Sequence, residues 1–205
     1  MSDTPNESIV STYTTGSGDN LAVHDWLLSP GRPPRGQVLL VHGLGEHAGR
    51  YEHVANRLND WGFAVRGYDH HGHGDSGGNR GALPEAMRLV DDLADLADNA
   101  RRRMGPDVPL LLLGHSLGGL VAAAVVARGM VQVDALVLSS PALATWLNPV
   151  QKLLLAVVPK IAPNLAVGNG LDAAYLSHDP AVVDAYLADP RVHDRVSGRL
   201  ARSCT

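Results

Sequence analysis

The pattern of apolar and polar residues predicts strands that alternate with helices through the first two thirds of the chain. The segment 37–43 is a short, continuous apolar run, typical of a strand covered on both faces, and further strands are predicted at 63–70, 108–114 and 133–140. Apolar residues at helical spacing predict helices between these runs, at 51–58, 89–104 and 120–129. Two weaker strands, 8–14 and 21–28, precede them and are separated by the turn residues GSGDN.

Such alternation indicates an α/β fold, with a mostly parallel sheet flanked by helices and the first two strands forming a hairpin at one edge. From Pro141 onward the sequence is rich in Leu, Ala and Pro and has no convincing strand. We therefore expect an α/β core at 1–140 and a helical cap at 141–205.

Size, charge and composition narrow the class of protein. A chain of 205 residues fits one domain, and the net charge of −4 argues against a nucleic-acid partner. The single cysteine, Cys204, excludes an internal disulfide. Residues 1–20 lack the apolar centre of a signal peptide, and prolines and lysines interrupt the most apolar segment, 146–168. We therefore expect a soluble, cytoplasmic protein.

The stretch GHSLGG (114–119) is the strongest chemical signal in the sequence. It places Ser116 between Gly114 and Gly118, directly after one apolar run and before another. A tight strand-to-helix turn needs small residues two positions either side of its apex, and it projects the serine hydroxyl from the carboxyl edge of the sheet. Ser116 is therefore the candidate nucleophile. The alternative is a structural turn softened by glycine.

A nucleophilic serine needs hydrogen-bond donors for the negative charge that develops on the substrate oxygen. The N–H of Leu117, directly after the nucleophile, is one candidate. The second should come from the loop after the first central strand, where the sequence VHGLGEHAGRY (41–51) places the N–H of Leu44. This oxyanion loop could instead be a simple entry turn into a helix. His42 and His115 flank the two donors, and we expect them to serve in packing and loop hydrogen bonds.

Five ordered segments resemble the monoacylglycerol lipase and lysophospholipase branch of the α/β-hydrolases, which carry a serine aminopeptidase S33-type domain. They are VHGLGEHAGRYEHVANRL, YDHHGHGDSGG, GHSLGG, LVLSSPAL and LSHDPAVVDAYLADPRVH. The resemblance implies a serine hydrolase that cleaves carboxylic esters of lipids through an acyl-Ser116 intermediate, without a cofactor. It also implies that Glu46 and Arg50 contact the glycerol pole of the substrate. The cap would carry the acyl tunnel and could touch membranes transiently, although a lid packed on its own core is an equal alternative.

The general base is the missing part. After Ser116 the sequence offers only His178 and His193 as histidines, with acids at Asp172, Asp179, Asp184, Asp189 and Asp194. All of these residues lie in the predicted cap, and the family's HGxxD-like segment and late histidine are not found. The resemblance stops inside the cap, so we expect the last two strands and helices to be missing and catalysis to be impaired or lost. We also expect the outer edge of the 133–140 strand to be bare.

Three alternatives stay open. The chain could be a truncated homologue without catalysis, whether it binds lipid or has no function. It could be a metal-binding module that uses the cluster His70, His71, His73 and Asp75, although no second ligand segment is evident and we expect no metal. Thioesterase, peptidase and perhydrolase chemistry would suit the same scaffold.

Overall fold

A six-stranded sheet forms the centre of the protein. The computed structural model describes residues 6–143, 161–162 and 165–203. Its central sheet has the strand order β1-β2-β4-β3-β5-β6. The strands are β1 (Ile9–Thr14), β2 (Asn20–Trp26), β3 (Gly36–Val41), β4 (Phe63–Tyr68), β5 (Leu110–His115) and β6 (Ala135–Ser139). All six strands fall within the predicted strands or extend one residue beyond them.

Strand directions confirm the predicted fold class. β3 pairs in parallel with both β4 and β5, and β5 pairs in parallel with β6. β1 and β2 form the antiparallel hairpin at one edge, where β2 runs antiparallel to β4. The carboxyl ends of β3, β4, β5 and β6 therefore meet along one edge of the sheet, where open parallel sheets place their ligand sites.

Three helices pack on the two faces of this sheet. They are α1 (Glu52–Asp60), α2 (Arg88–Met104) and α3 (Leu117–Ala127). Apolar side chains of α2 and α3 join the larger of two core clusters, whereas those of α1 join the smaller one. The helix α2 begins at Arg88, one residue before the predicted helix 89–104. The carbonyl oxygens of Leu83 and Pro84 accept hydrogen bonds from Arg199 instead of from a helical turn.

The open edge predicted for the strand 133–140 is present in the described part of the chain. β6 is the last strand of the central sheet there and pairs only with β5. Its residue Val137 is 48% exposed, and the other four residues of β6 are each at least partly exposed. This side of the sheet is therefore apolar and accessible to solvent.

Residues 165–203 hold a further helical and strand region. It contains α4 (Pro180–Ala188), a two-stranded antiparallel sheet of β7 (Ala166–Gly168) and β8 (Arg195–Ser197), and α5 (Gly198–Ser203). The two short strands were not predicted, since three residues are too few to show alternation. Residues 144–160, which hold most of the apolar stretch expected in the cap, lie outside the described residues.

This region returns to the core at its end. Leu200 is fully buried in the larger core cluster, and the N–H of Ser197 donates to the carbonyl of Gly81 at 2.8 Å. The N–H of His193 donates to the carbonyl of Gly45 at 2.9 Å, which places the segment before β8 directly on the oxyanion loop. Among the described residues, none of the helices is both long and apolar enough to span a bilayer.

Candidate active site

Ser116 occupies a strained turn at the carboxyl end of β5. Its backbone has φ 50° and ψ −117°, a combination that residues with a side chain rarely adopt. The turn is held on both sides, because the Ser116 N–H donates to the Ser139 carbonyl at 3.0 Å and the Ser116 carbonyl accepts from the Leu120 N–H at 3.1 Å. The side chain is half-buried, and its Oγ makes no hydrogen bond with any described residue.

The glycines around Ser116 are required by close backbone contacts. A Cβ on Gly114 would lie 2.5 Å from the Gly118 carbonyl oxygen. A Cβ on Gly118 would overlap the carbonyl oxygens of Val41 and His42 at the end of β3. The first turn of α3 therefore touches the start of the oxyanion loop through backbone atoms, and this contact brings the serine and the loop together.

The two predicted oxyanion donors lie on either side of this contact. Leu117 is the first residue of α3, so its N–H belongs to the positive end of the helix dipole. Leu44 is in the oxyanion loop, and its side chain packs against the larger core cluster that contains Leu117. Neither N–H donates a hydrogen bond to a described residue. Both N–H groups can therefore donate a hydrogen bond to a negatively charged oxygen.

Glu46 is buried inside the oxyanion loop, with only 6% of the residue exposed. Its Oε1 accepts hydrogen bonds from the Gly43 N–H at 2.6 Å and the Tyr51 hydroxyl at 2.5 Å, and its Oε2 accepts one from Arg50. Burial alone would raise the pKa of this carboxyl, but the donated hydrogen bonds and the Arg50 charge hold the pKa below its usual value. Tyr51 was not among the predicted site residues, although it directly follows Arg50 in the sequence.

Two contacts join this loop to α4 and its carboxyl end. The guanidinium carbon of Arg50 lies 4.6 Å from the centre of the Tyr186 ring, within the range of a cation–π interaction. Nε2 of His47 lies 2.9 Å from the Asp189 carboxylate, which also pairs with Arg191. These contacts were not predicted: Asp189 is 142 residues from His47 along the chain, and no local pattern links them.

Both nitrogens of the His42 ring are used in loop hydrogen bonds. Nε2 lies 2.9 Å from the His70 N–H and therefore accepts from it, so the ring proton is on Nδ1 and is donated to the Gly43 carbonyl at 2.7 Å. Burial lowers the pKa of His42. His115 has a similar local role, with Nδ1 3.1 Å from the Ser139 carbonyl. Both ring nitrogens of His42 are thus occupied, and His115 uses Nδ1 to hold the neighbouring strand end.

No described histidine forms a hydrogen bond with the Ser116 hydroxyl. His178 is exposed, and the ring of His193 packs on that of His73 with 4.6 Å between centroids. The acids expected near them serve locally, since Asp172 and Asp179 each accept from an N–H two residues ahead. Within the described residues, the structure does not complete a catalytic triad.

The side chains of the DHHGHGD segment point in different directions. His70 and His73 pack on His42, with ring centroids 4.4 and 5.5 Å away. Nδ1 of His71 faces Asp19 instead, at 3.6 Å, and Asp75 is exposed. In the described part of the chain, no group of three or more histidine, cysteine or acidic side chains is arranged to hold a metal ion.

A mostly parallel sheet with a serine on a strained strand-to-helix turn and free N–H groups beside it is the arrangement of an α/β-hydrolase. Comparison with known proteins agrees with this class. Residues 32–205 match the Hydrolase_4 family, described as serine aminopeptidase, S33, and the chain belongs to that family.

Similar proteins include several lipases. The chain is 43% identical over 180 residues to a monoacylglycerol lipase of Mycolicibacterium smegmatis, a match that covers 87% of this chain and 63% of the relative. It is 36% identical over 169 residues to the monoglyceride lipase of Mus musculus, covering 80% and 54%. The chain thus spans little more than half to under two thirds of the length of these curated relatives. Its resemblance to monoacylglycerol lipases is confirmed.

Solved structures agree on the fold. The crystal structure of Paleococcus ferrophilus monoacylglycerol lipase superposes with a TM-score of 0.73 at 33% identity, covering 96% of this chain and 71% of that one. A soluble variant of monoglyceride lipase from Saccharomyces cerevisiae gives a TM-score of 0.87 at 20% identity, which bears on the fold alone.

Proposed function

We propose that this chain carries the nucleophile and oxyanion hole of a serine hydrolase that cleaves carboxylic esters of lipids, such as a monoacylglycerol or a lysophospholipid. One observation carries the proposal: Ser116 is held at φ 50°, and neither its hydroxyl nor the nearby N–H groups of Leu44 and Leu117 form a hydrogen bond with any described residue. A backbone under such strain is retained where surrounding structure enforces it, commonly at active sites.

The geometry suits a two-step acyl transfer. Oγ of Ser116 attacks the ester carbonyl carbon, and the carbonyl oxygen becomes negatively charged as the tetrahedral intermediate forms. The N–H groups of Leu44 and Leu117 donate to that oxygen, and each such donor contributes about 2.7–4 kcal/mol in a related case. Collapse of the intermediate breaks the ester C–O bond, releases the alcohol with a proton and leaves acyl-Ser116. Water then cleaves the acyl ester.

The proton of Ser116 needs a base, and we place the catalytic acid and histidine outside the described residues. Loss of the base alone costs on the order of 10⁶ in rate in a well-studied serine protease. The same observation, a serine hydroxyl that no described histidine contacts, favours a second candidate function: a non-catalytic homologue that retains a lipid-binding pocket.

Glu46 and Arg50 are the proposed contacts for the polar end of the substrate. A carboxylate accepts about four hydrogen bonds, and among the described residues Oε2 of Glu46 receives one, from Arg50, so it has capacity for a substrate hydroxyl. We retain the division into a hydrolase core at 1–140 and a cap at 141–205. A cytoplasmic location is part of the proposal, in line with the single cysteine.

Transient contact of the cap with a membrane surface is also proposed. Large apolar side chains in the described part of the cap are exposed, among them Ile161, Leu165, Leu171, Tyr175 and Leu187. Exposed apolar groups of this kind mark sites for lipid or protein contact. The net charge of −4 gives no sign of a basic surface, so the contact would depend on the insertion of apolar side chains.

Reaction with an alkyl fluorophosphonate tests the proposal. We expect slow, site-specific labelling of Ser116, detected as a mass shift on the peptide that contains it, and faster labelling when imidazole is added as an external base. Ser116→Ala should abolish the adduct. Ser140→Ala is the matched control, because Ser140 also has a positive φ, of 43°, at the end of the neighbouring strand. Equal labelling at both serines, or none at Ser116, would favour the non-catalytic homologue.

A further inference from the structure

We infer that Glu46 is a positioning residue: its carboxylate holds the Gly43 N–H and, together with the His42 ring that holds the Gly43 carbonyl, fixes Gly43 so that the next N–H, that of Leu44, faces the oxyanion. This inference rests on the proposed function and assigns Glu46 a role beyond contact with the substrate. Its starting point is the hydrogen bond from the Gly43 N–H to Oε1 of Glu46, 2.6 Å long and fully buried.

The oxyanion loop has little rigidity of its own. It carries glycines at 43 and 45, and Gly45 adopts φ 75°, so its peptide units could rotate at small steric cost. A rotated peptide unit would turn the Leu44 N–H away from the substrate oxygen. Something other than side-chain sterics must therefore fix the loop.

Two hydrogen bonds fix the peptide units on either side of Gly43. Glu46 accepts from the Gly43 N–H, and the His42 ring donates to the Gly43 carbonyl at 2.7 Å. Because a trans peptide unit is planar, holding the Gly43 carbonyl directs the Leu44 N–H to the opposite side. With the Gly43 N–H already bonded, the free donor of this pair is Leu44.

The Glu46 carboxylate is itself held in place from two further sides. The Tyr51 hydroxyl donates to the same Oε1 atom at 2.5 Å, and Arg50 donates to Oε2. Burying a carboxylate without such partners would cost free energy of folding. With all three donors in place, the carboxylate is held in one orientation. Arg50 in turn lies on the Tyr186 ring of α4, which helps to fix the position of its guanidinium.

The test compares three variants in the full 205-residue chain, labelled with the fluorophosphonate in the presence of imidazole. We expect Glu46→Ala to lower the inactivation rate constant of bound probe about 100-fold, the loss typical of one oxyanion donor, with little change in probe affinity. Glu46→Gln keeps an oxygen for the Gly43 N–H and should stay within about 10-fold of the unmodified chain. Glu85→Ala, which removes an exposed glutamate, is the matched control and should label at the unmodified rate.

Amide hydrogen exchange gives a second readout that does not depend on reactivity. The Gly43 N–H should be protected in the unmodified chain and in Glu46→Gln, and exposed in Glu46→Ala, while the amides of β3 keep their protection. If the unmodified chain fails to label at all, the proposed function fails, and exchange at Gly43 alone decides the inference. Unprotected Gly43 in the unmodified chain, or normal labelling of Glu46→Ala, would overturn it.

Discussion

The two faces of the central sheet are covered to different extents. Among the described residues, 20 buried apolar residues, Leu200 of α5 included, form one cluster on the α2 and α3 side. On the α1 side the corresponding cluster has five described residues, and its neighbours Leu111 and Leu113 on β5 are only partly buried. Beyond them, Val137 on β6 is largely exposed. The stability of the described structure therefore depends chiefly on one face.

The comparison also explains why the site is well formed while the fold is open at one side. Ser116 and Leu117 belong to the covered side, since α3 packs there and Leu117 is in the larger cluster. In the described chain, α3 meets the oxyanion loop through the backbone of Gly118, Val41 and His42. A sheet that is well covered on one face can thus hold the turn at Ser116 in its strained geometry.

The largest expected effect separates two neighbouring leucines on β5. Leu112 is fully buried on the α2 and α3 side, whereas Leu113 faces the α1 side and is half-buried. We expect Leu112→Ala to lower the free energy of unfolding by about 3 kcal/mol and Leu113→Ala by about half as much. Urea denaturation of both variants measures this. Equal losses would mean that the two faces contribute alike.

The next effect tests the covered side through pH. His70 packs edge-on against Tyr68 of the larger cluster, and burial holds the pKa of His70 and of His73 well below the usual histidine value. Below pH about 6.5 the unfolded chain binds protons that the folded chain excludes, so stability is full above that pH and falls as the pH falls. From pH 7 to 5 each histidine should remove about 2 kcal/mol.

Asp92 increases the stability of the fold as the pH falls through part of this range, because burial raises its pKa to about 6 and the folded chain binds the proton first. The measurement is therefore a comparison of slopes: the unfolding free energy between pH 7 and 5 for the unmodified chain and for His73→Gln. The variant should lose about 2 kcal/mol less over this range than the unmodified chain. Parallel curves would show that His73 is not held neutral.

A smaller effect concerns the strain at the nucleophile turn. Ser116→Gly should raise the free energy of unfolding by about 1 kcal/mol relative to Ser116→Ala, because glycine adopts a positive φ without steric cost. Thermal or urea unfolding of the two variants gives the difference. Equal free energies of unfolding for the two variants would mean that the turn at Ser116 stores no strain, and its backbone geometry would no longer support the proposed function.

The smallest effect on stability should come from the uncovered side. Val137→Lys replaces an exposed apolar residue, so we expect a change within about 0.5 kcal/mol but less aggregation, since charge protects an open strand edge. Light scattering at rising protein concentration measures this. Val10→Lys, 55% exposed on β1 at the opposite edge, is the control. A similar benefit from both would point to general solubility instead of association through β6.

Local pattern was sufficient for the elements that carry the site. The apolar runs predicted β3 and β5, and the glycine spacing around Ser116 predicted the sharp turn between β5 and α3. Both signals are local because a buried strand and a tight turn impose their own residue types. The alternation with helices predicted the parallel sheet, and the hairpin was expected at one edge. The strand order β1-β2-β4-β3-β5-β6 was not predicted, because the pairing of strands distant in sequence leaves no local pattern.

Contacts between distant segments could not be predicted in the same way. The pairing of His47 with Asp189 and the contact of His193 with Gly45 depend on how residues 165–203 fold back onto the core. The hydrogen bonds of Glu46 were within reach of the sequence, because Glu46, Arg50 and Tyr51 lie within six residues. The burial of the Glu46 carboxylate could not be predicted from the sequence. Because the carboxylate is buried, its hydrogen-bond partners are residues of the loop itself.

The backbone contact at Gly118 has a consequence for how such a protein can diversify. Because carbonyl oxygens of Val41 and His42 meet α3 with no side chain between them, the separation of serine and oxyanion loop is independent of side-chain size elsewhere. Under the proposed function, mutations in the cap would reshape the space for an acyl chain and leave the geometry at Ser116 unchanged. Chemistry and substrate choice become separately evolvable traits of one scaffold.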